Sequence, residues 1–398
     1  MLPEALPYQL KVRDYFRSHA STWEFFAAVR TREEQLAAFQ TDLLKNTYQF
    51  TREGEPGLFG TIDMVREALA LGDLVVSAYQ AADQSGSELN ASIIYLHQEA
   101  HLVLMGPVLE KLDEQELQAV IAHELAHVRL YTLLGGEIEV ADRIVTSIAN
   151  HAGSGPAYLE TARLFKLYTE IYCDRCAYTV MGDPTKVISM LLKLATGLSA
   201  VNVESYTRQA ESIFSADPGT KSAMPTHPEN FIRTRALHLW HGQGEAAAAE
   251  IARMIEGVPD LDRLDLFGQQ ELKELTYDFL KEYLRPEWMR TTMITALHQQ
   301  YFSREETRSG RPPEELAAAI AGMHPDIRTY FGYVLLDFAL ADPSLEEMPA
   351  GRALEFAGEM RLSDVYDTIC KKELQLNDKK WQQQKEKLLN AYAGLSKD

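Results

Sequence analysis

Along most of the chain, leucine, alanine, isoleucine and phenylalanine recur at three- and four-residue intervals among charged residues. That spacing lays an apolar stripe along one face of a helix. Residues 12–50, as in "TWEFFAAVRTREEQLAAFQTDLLKN", predict an N-terminal helical region. "TREGEPGLFG" interrupts the pattern with glycine and proline, and it resumes over 61–72. The period then shortens. "LVVSAYQAA", "NASIIYLHQ" and "EAHLVLMG" are short runs rich in strand-favouring residues, and "DQSGSE" between the first two reads as a turn. A short helix over "PVLEKL" and a longer one over "DEQELQAVIAHELAHVRLYTLL" follow, the second opened by Asp113 as N-cap with Glu116 three residues on. Residues 157–181 and 184–203 are again helical, divided where Gly182 and Pro184 stop the first.

From 204 to 228, "ESYTRQAESIFSADPGTKSAMPTHP" loses periodicity and gathers serine, glycine and proline, as a linker or a loop beside a site would. Beyond 229 the chain is helical, punctuated by "GVPD", "RSGRPP", "ADPSLEEMPAG" and "QLND". The expected fold class is mostly α with a small β-sheet (α+β). Residues 1–55 are expected as an N-terminal helical region, 56–240 as the domain holding the sheet, and 241–398 as an all-helical C-terminal domain.

Composition adds three exclusions. A chain of 398 residues with 46% hydrophobic content has ample material for two or three cored domains and is not globally disordered. A net charge of −19 and a pI near 5.1 argue against a nucleic-acid partner, which a phosphate backbone would repel. The start has neither a positive n-region nor an apolar h-region, although a trimmed leader would leave the same start. The most apolar stretch, "VISMLLKLATGLSAVNV", is interrupted by Lys193, so no transmembrane segment and a cytoplasmic location are expected. Of the three cysteines, Cys173 and Cys176 form a Cys-x-x-Cys pair without a strand-borne redox context or a second pair, and are expected to be packing residues.

The chemistry centres on "AVIAHELAHVRL". His123 and His127 are four apart, so a helix turns both imidazoles to one side, and Glu124 lies beside the first. Two ligands and a general base for a metal-activated water need this arrangement; a helix with incidental histidines would look the same. A catalytic zinc needs a third protein ligand. Leu130 and Leu133 occupy the places where one zinc-peptidase class has glycine and a third histidine, which excludes that class. Asp142 and His151 lie within range but in no supporting pattern. In "YTEIYCDRCAY", Glu170 and Asp174 are four apart on an apolar helix, an unfavourable pair unless a cation relieves it. One carboxylate could bind the metal and the other orient a ligand imidazole; the alternative is a surface pair.

"LNASIIYLHQEAHLVLMGPVLEKLDEQELQAVIAHELAHV" resembles the core of the HtpX-like and CAAX-prenyl-endopeptidase-type zinc metallopeptidases of the gluzincin clan. The resemblance rests on Asn90-Ala91, Leu109 and Leu112, Glu116-Leu117, Ala119-Val120 and the zinc helix. It extends to Glu170, Asp174, Arg175 and Ala177, and to Thr226, His227, Pro228 and Arg233, across residues 60–240. It implies a zincin-like peptidase domain binding one Zn2+ per chain through His123, His127 and Glu170, with Glu124 as base and Asp174 behind the ligands. It also implies that His227 or Arg233 contacts the oxyanion or orients the site. Protein or peptide substrates follow, with unfolded chains favoured because the membrane helices of many relatives are missing. A catalytically silent scaffold or chaperone that binds proteins through the helical C-terminal region is the rival reading, and a latent enzyme, its cleft closed by residues 204–228 or the C-terminal helices, is compatible with the first. "EAHLVLMG" is expected to be an edge strand that pairs with substrate, with His101 a packing residue. Residues 245–398 faintly resemble a TerB-like helical domain; Asp337, Asp342 and Glu346 there read as solvated helix ends, and the region as one for partner docking, cleft covering or self-association.

Overall fold

The computed structural model describes residues 2–28, 33–81, 89–96, 99–302 and 310–395, and the chain divides into two compact units, Met1–Gly257 and Val258–Asp398. The first opens with helices α1 (Pro7–Arg17), α2 (Ala20–Ala28) and α3 (Glu33–Asn46), a short strand β1 (Thr47–Gln49) and α4 (Pro56–Ala68). Strands β2 (Val75–Ala81), β3 (Asn90–Leu96) and β4 (Glu99–Met105) follow. Then come α5 (Val108–Lys111), α6 (Glu114–Thr132), α7 (Glu137–Ala149), α8 (Pro156–Met181), α9 (Pro184–Thr196), α10 (Val203–Ala216), α11 (Asn230–Gln243) and α12 (Ala248–Glu256). The mostly helical architecture with one small sheet is the one the periodicity predicts. The turn expected at "DQSGSE" lies outside the described residues.

The four strands lie in the order β1-β2-β4-β3. β2 and β4 run parallel, from Val75 opposite Glu99 to Gln80 opposite Leu104, while β1 and β3 flank them antiparallel. "EAHLVLMG" is therefore an interior strand and not the edge expected of it. The physical reason is legible in its burial: residues 100–104 are buried on both faces, as a largely apolar run interrupted only by His101 favours. The described edge on that side is β3, most of whose residues are only half-buried.

Two other expectations change. Thr47–Gln49, within the stretch expected to be helical, pairs with β2. Part of the segment expected to be aperiodic is α10, whose N-cap Asn202 accepts a 2.8 Å hydrogen bond from the Ser205 amide and whose Ala210 and Phe214 are buried. α6 and α7 are joined by Leu134, Gly135 and Gly136, all at positive φ, a sharp turn that favours glycine.

The second unit is built from α13 (Leu266–Tyr283), α14 (Thr292–Tyr301), α15 (Pro313–Ala321), α16 (Pro325–Ala339), α17 (Met348–Glu359), α18 (Ser363–Glu373) and α19 (Asp378–Leu395). Phe279, Phe331, Phe338, Phe356 and Trp381 fill its core. α17 and α19 approach closely at Gly351, where a Cβ would stand 2.6 Å from the Leu388 carbonyl oxygen. Asp342 does sit at a helical start, accepting from the Ser344 amide at 2.9 Å, but it is buried and not solvated as expected. Among the described residues no helix is long and apolar enough to cross a membrane.

In the first unit α6 is the central element. It is buried nearly all round, and the small side chains of Ala119, Ala122 and Ala126 let neighbours approach it closely. The capping box forms as expected: Asp113 accepts from the Glu116 amide and Glu116 from the Asp113 amide, both at 2.8 Å. Glu116 also accepts from Lys193 and Ser189 of α9, each at 2.6 Å, in a buried cluster that ties the start of α6 to α9. Burial would raise the Glu116 carboxyl, but these donors hold it below its ordinary value. Glu116→Ala strands Lys193 without a counter-charge and should lower the first unit's stability by about 3–5 kcal/mol in urea unfolding. The cluster's contribution is complete above the ordinary glutamate pKa of about 4.3 and fades as pH falls through the lowered folded value. The wild-type minus Glu116→Ala difference should shrink in acid.

Candidate metal centre

α6 and α8 pack side by side, and their facing sides carry the titratable residues singled out in the sequence. His123 and His127, one turn apart on α6, have ring centroids 5.2 Å apart and near-perpendicular planes. Across from them stands Glu170 of α8. One of its carboxylate oxygens lies 3.3 Å from His123 Nε2 and the other 3.6 Å from His127 Nε2. His123 Nδ1 faces Asp174 Oδ1 at 3.0 Å, so the two sides of that imidazole meet two different carboxylates. The spacing of four residues on α8 produces this, since Glu170 and Asp174 project one turn apart against one ring.

Arg233 of α11 closes the arrangement from behind. Its Nε and Nη2 donate to the two Asp174 oxygens at 2.7 and 2.6 Å, a buried fork-to-fork pair, and Nη2 lies 3.6 Å from Glu170. His227, in the segment before α11, brings Nε2 to 3.5 Å from Glu170 while remaining 63% exposed. These residues border a cavity of about 1140 Å³, walled by β3 on one side and by Met190, Leu191 and Leu194 of α9 on another. Glu124 lines it too, beside the histidines.

The electrostatics follow from burial and from the pairing among these side chains. Burial pushes the Glu124 carboxyl up to about 7. It acts the same way on His127, which falls to about 4. For His123 burial is outweighed by Asp174 and Glu170, and the imidazole is pushed up to about 10. Glu170 is held well below its usual range against burial by His123, His127 and Arg233. Arg233 supplies a permanent charge facing these two buried carboxylates, Glu170 and Asp174.

His123, His127 and Cys173 form a cluster able to hold a metal ion, with one ring nitrogen of each histidine and the cysteine Sγ all within 4.8 Å of one another. Two further observations fit a cation. Donors about 2.1 Å from a tetrahedral zinc lie about 3.4 Å apart, close to the separations of Glu170 from the two imidazoles. Glu170 Oε2 is also buried without a hydrogen-bond partner among the described residues, a costly condition that a cation would relieve.

Residues 62–241 match the family described as peptidase family M48. They have an M48-type, metallopeptidase-like fold. One curated relative is the plastoglobule-localized metallopeptidase 48, chloroplastic, of Arabidopsis thaliana, 28% identical over 155 residues, which are 35% of this chain and 44% of that protein. The chain therefore aligns with less than half the length of that relative. No solved structure matches.

The structure brings together His123, Glu124, His127, Glu170, Asp174, His227 and Arg233, the set that the resemblance implies. Asp142 and His151 stand elsewhere: Asp142 accepts from Tyr131 at 2.7 Å and from Thr146, and His151 is exposed beyond the end of α7. His101 is buried on β4 with its Nδ1 3.2 Å from the Tyr79 hydroxyl, a packing residue as expected. Cys173 was expected only to pack, yet it joins the metal cluster. Its signal was its place on α8, three residues after Glu170 and therefore on nearly the same face. Cys176 is buried beside Tyr172 and Arg129, away from the cluster. Arg233→Met should leave Asp174 and Glu170 without their permanent cation and lower stability by about 3–5 kcal/mol. Arg233→Lys should recover only part of that in the same urea unfolding measurement, because an ammonium cannot reproduce the fork.

Proposed function

We propose that the chain is a zinc-dependent endopeptidase, with His123, His127 and Glu170 as metal ligands, Glu124 as general base and protein segments in extended form as substrates. The observation that carries this is the convergence of Glu170 on both imidazoles of the α6 pair, at the edge of a cavity bordered by β3, the described edge strand. The HtpX-like and CAAX-type assignment within the M48 type belongs to the same proposal and is supported by the three motifs in order. A bound zinc ion would supply Lewis acidity, acidifying water and polarising a carbonyl.

The remaining work falls to side chains. Glu124, with its carboxyl near neutrality, is suited to take a proton from the attacking water and return it to the leaving amine. His227, exposed at the cavity and 3.5 Å from Glu170, is placed to donate to the oxygen that gains charge. Arg233 and Asp174 act as positioning residues: Asp174 fixes the orientation of His123, and Arg233 fixes Asp174. Among the described residues β3 is the edge strand along one wall, where an extended peptide can add as a further strand. The apolar side chains of Met190, Leu191 and Leu194 offer a wall for the substrate's own apolar side chains.

Purified protein should carry about one zinc ion per chain, read by elemental analysis, and Glu170→Ala should lose it. Glu124→Gln should keep the metal and cleave casein about 10²–10⁴-fold more slowly. Natively folded wild type that takes up no zinc would refute the metal assignment. A zinc-loaded wild type no faster than Glu124→Gln on every unfolded substrate would leave the silent scaffold as the better reading.

A further inference from the structure

The cavity beside α6 has two ends of different chemistry. Glu116, at the start of α6, is bonded to Ser189 and Lys193 of α9, so Met190, Leu191 and Leu194 form an apolar wall toward that end. The other end lies at the last turn of α6 and beyond it. There the lining is Tyr95 of β3, Tyr131 and Thr132 of α6, and Glu139 and Arg143 of α7. His123, His127 and Glu170 stand between the two ends. The proposed chemistry uses neither of the α7 side chains.

Glu139 and Arg143 are one helical turn apart, with Oε1 of the glutamate 2.5 Å from Nε of the arginine and side chains 33% and 34% exposed. They differ in what each has left to offer. Arg143 is drawn toward α2, donating from Nη2 to the Phe26 carbonyl oxygen at 3.0 Å, and Phe26 takes no part in the lining. Glu139 makes no second ion pair among the described residues. A carboxylate accepts about four hydrogen bonds, so one arginine contact leaves it acceptor capacity on the cavity side. Its charge also reaches β3: burial first, and then Glu139, raises the Tyr95 hydroxyl above its ordinary value. The net charge of −19 works in the same direction, drawing cationic segments in preference to anionic ones.

We infer that Glu139 is a specificity-determining residue that receives a lysine or arginine side chain of an extended substrate, while the α9 wall receives an apolar one on the other side of the metal centre. This deepens the peptidase reading and rests on it for the bond that is cut, but not for binding. The spacing follows from the helix. Tyr131 and Thr132 follow His127 by four and five residues, about 6–8 Å along α6. An extended chain covers that length in about two or three residues, which sets how far the basic side chain falls from the scissile bond.

The test uses the full chain and short fluorescein-labelled peptides that carry one leucine and, about three residues away, lysine, acetyl-lysine or glutamate, each made in both orders. Binding is read by anisotropy with and without zinc, and cleavage by kcat/KM of the zinc-loaded chain. In one of the two orders the wild type should favour lysine over acetyl-lysine by about fivefold, with glutamate the poorest. Glu139→Gln, checked for native circular dichroism, should abolish the difference between lysine and acetyl-lysine. Arg143→Gln, which releases the Glu139 carboxylate from its pair, should widen it. A wild type that binds none of the peptides, or treats lysine and acetyl-lysine alike, overturns the inference, and so does an undiminished preference in Glu139→Gln. A preference for glutamate overturns it too and points to Arg143 as the receiving group. Casein and peptides cut without regard to lysine would remove Glu139 from specificity and leave the peptidase reading standing. Lysine preference in binding, with no substrate cut, would do the reverse.

Discussion

The buried pair between Asp174 and Arg233 is the constraint on which the rest of the site depends. Four charged or chargeable side chains, His123, Glu170, Asp174 and Arg233, are removed from water between α6, α8 and α11. Isolated, each would be expensive to bury. The forked contact of Arg233 with Asp174 neutralises one carboxylate permanently, which leaves Asp174 able to face His123 Nδ1 and fix which imidazole nitrogen points at Glu170. Arginine suits the position because its charge cannot be titrated away and its geometry matches a carboxylate. The segment carrying His227 is also placed by this contact, since it leads directly into α11.

Much of this was legible in the sequence because it depends on local periodicity. A spacing of four on a helix puts His123 with His127 and Glu170 with Asp174 whatever the tertiary fold, and Asp113 with Glu116 marks the start of α6 by rules that act over three residues. The described features that escaped depend on long-range burial. "EAHLVLMG" and "NASIIYLHQ" both read as strands, but which of them is interior follows from what covers them, and that is known only when α6 is docked. α10 escaped because it shares its segment with the serine, glycine and proline of residues 215–228, which dominated the reading of the whole stretch. Cys173 escaped for a different reason. Cysteine is equally at home in a core and beside a metal, and residue type alone cannot separate the two.

The first unit distributes its rigidity unevenly around α6. At the N-terminal end, Glu116 joins backbone amides, Ser189 and Lys193 in one buried cluster. At the other end the helix gives way at once to three residues of positive φ before α7 begins. His123 and His127 lie between these ends, held laterally by α8 and not by the chain's own continuation. Precision at the site therefore derives from packing between helices, and substitutions deep in the α6–α8 contact would disturb it more than changes in the turn.

The free edge of β3 has a consequence beyond pairing. Open strand edges invite other sheets, and proteins commonly blunt them with charge, proline or a covering element. Here the exposed edge belongs to a strand that borders a cavity, with α9 and α6 side chains rising around it. A wall of side chains around the edge of β3 hinders another sheet from pairing there.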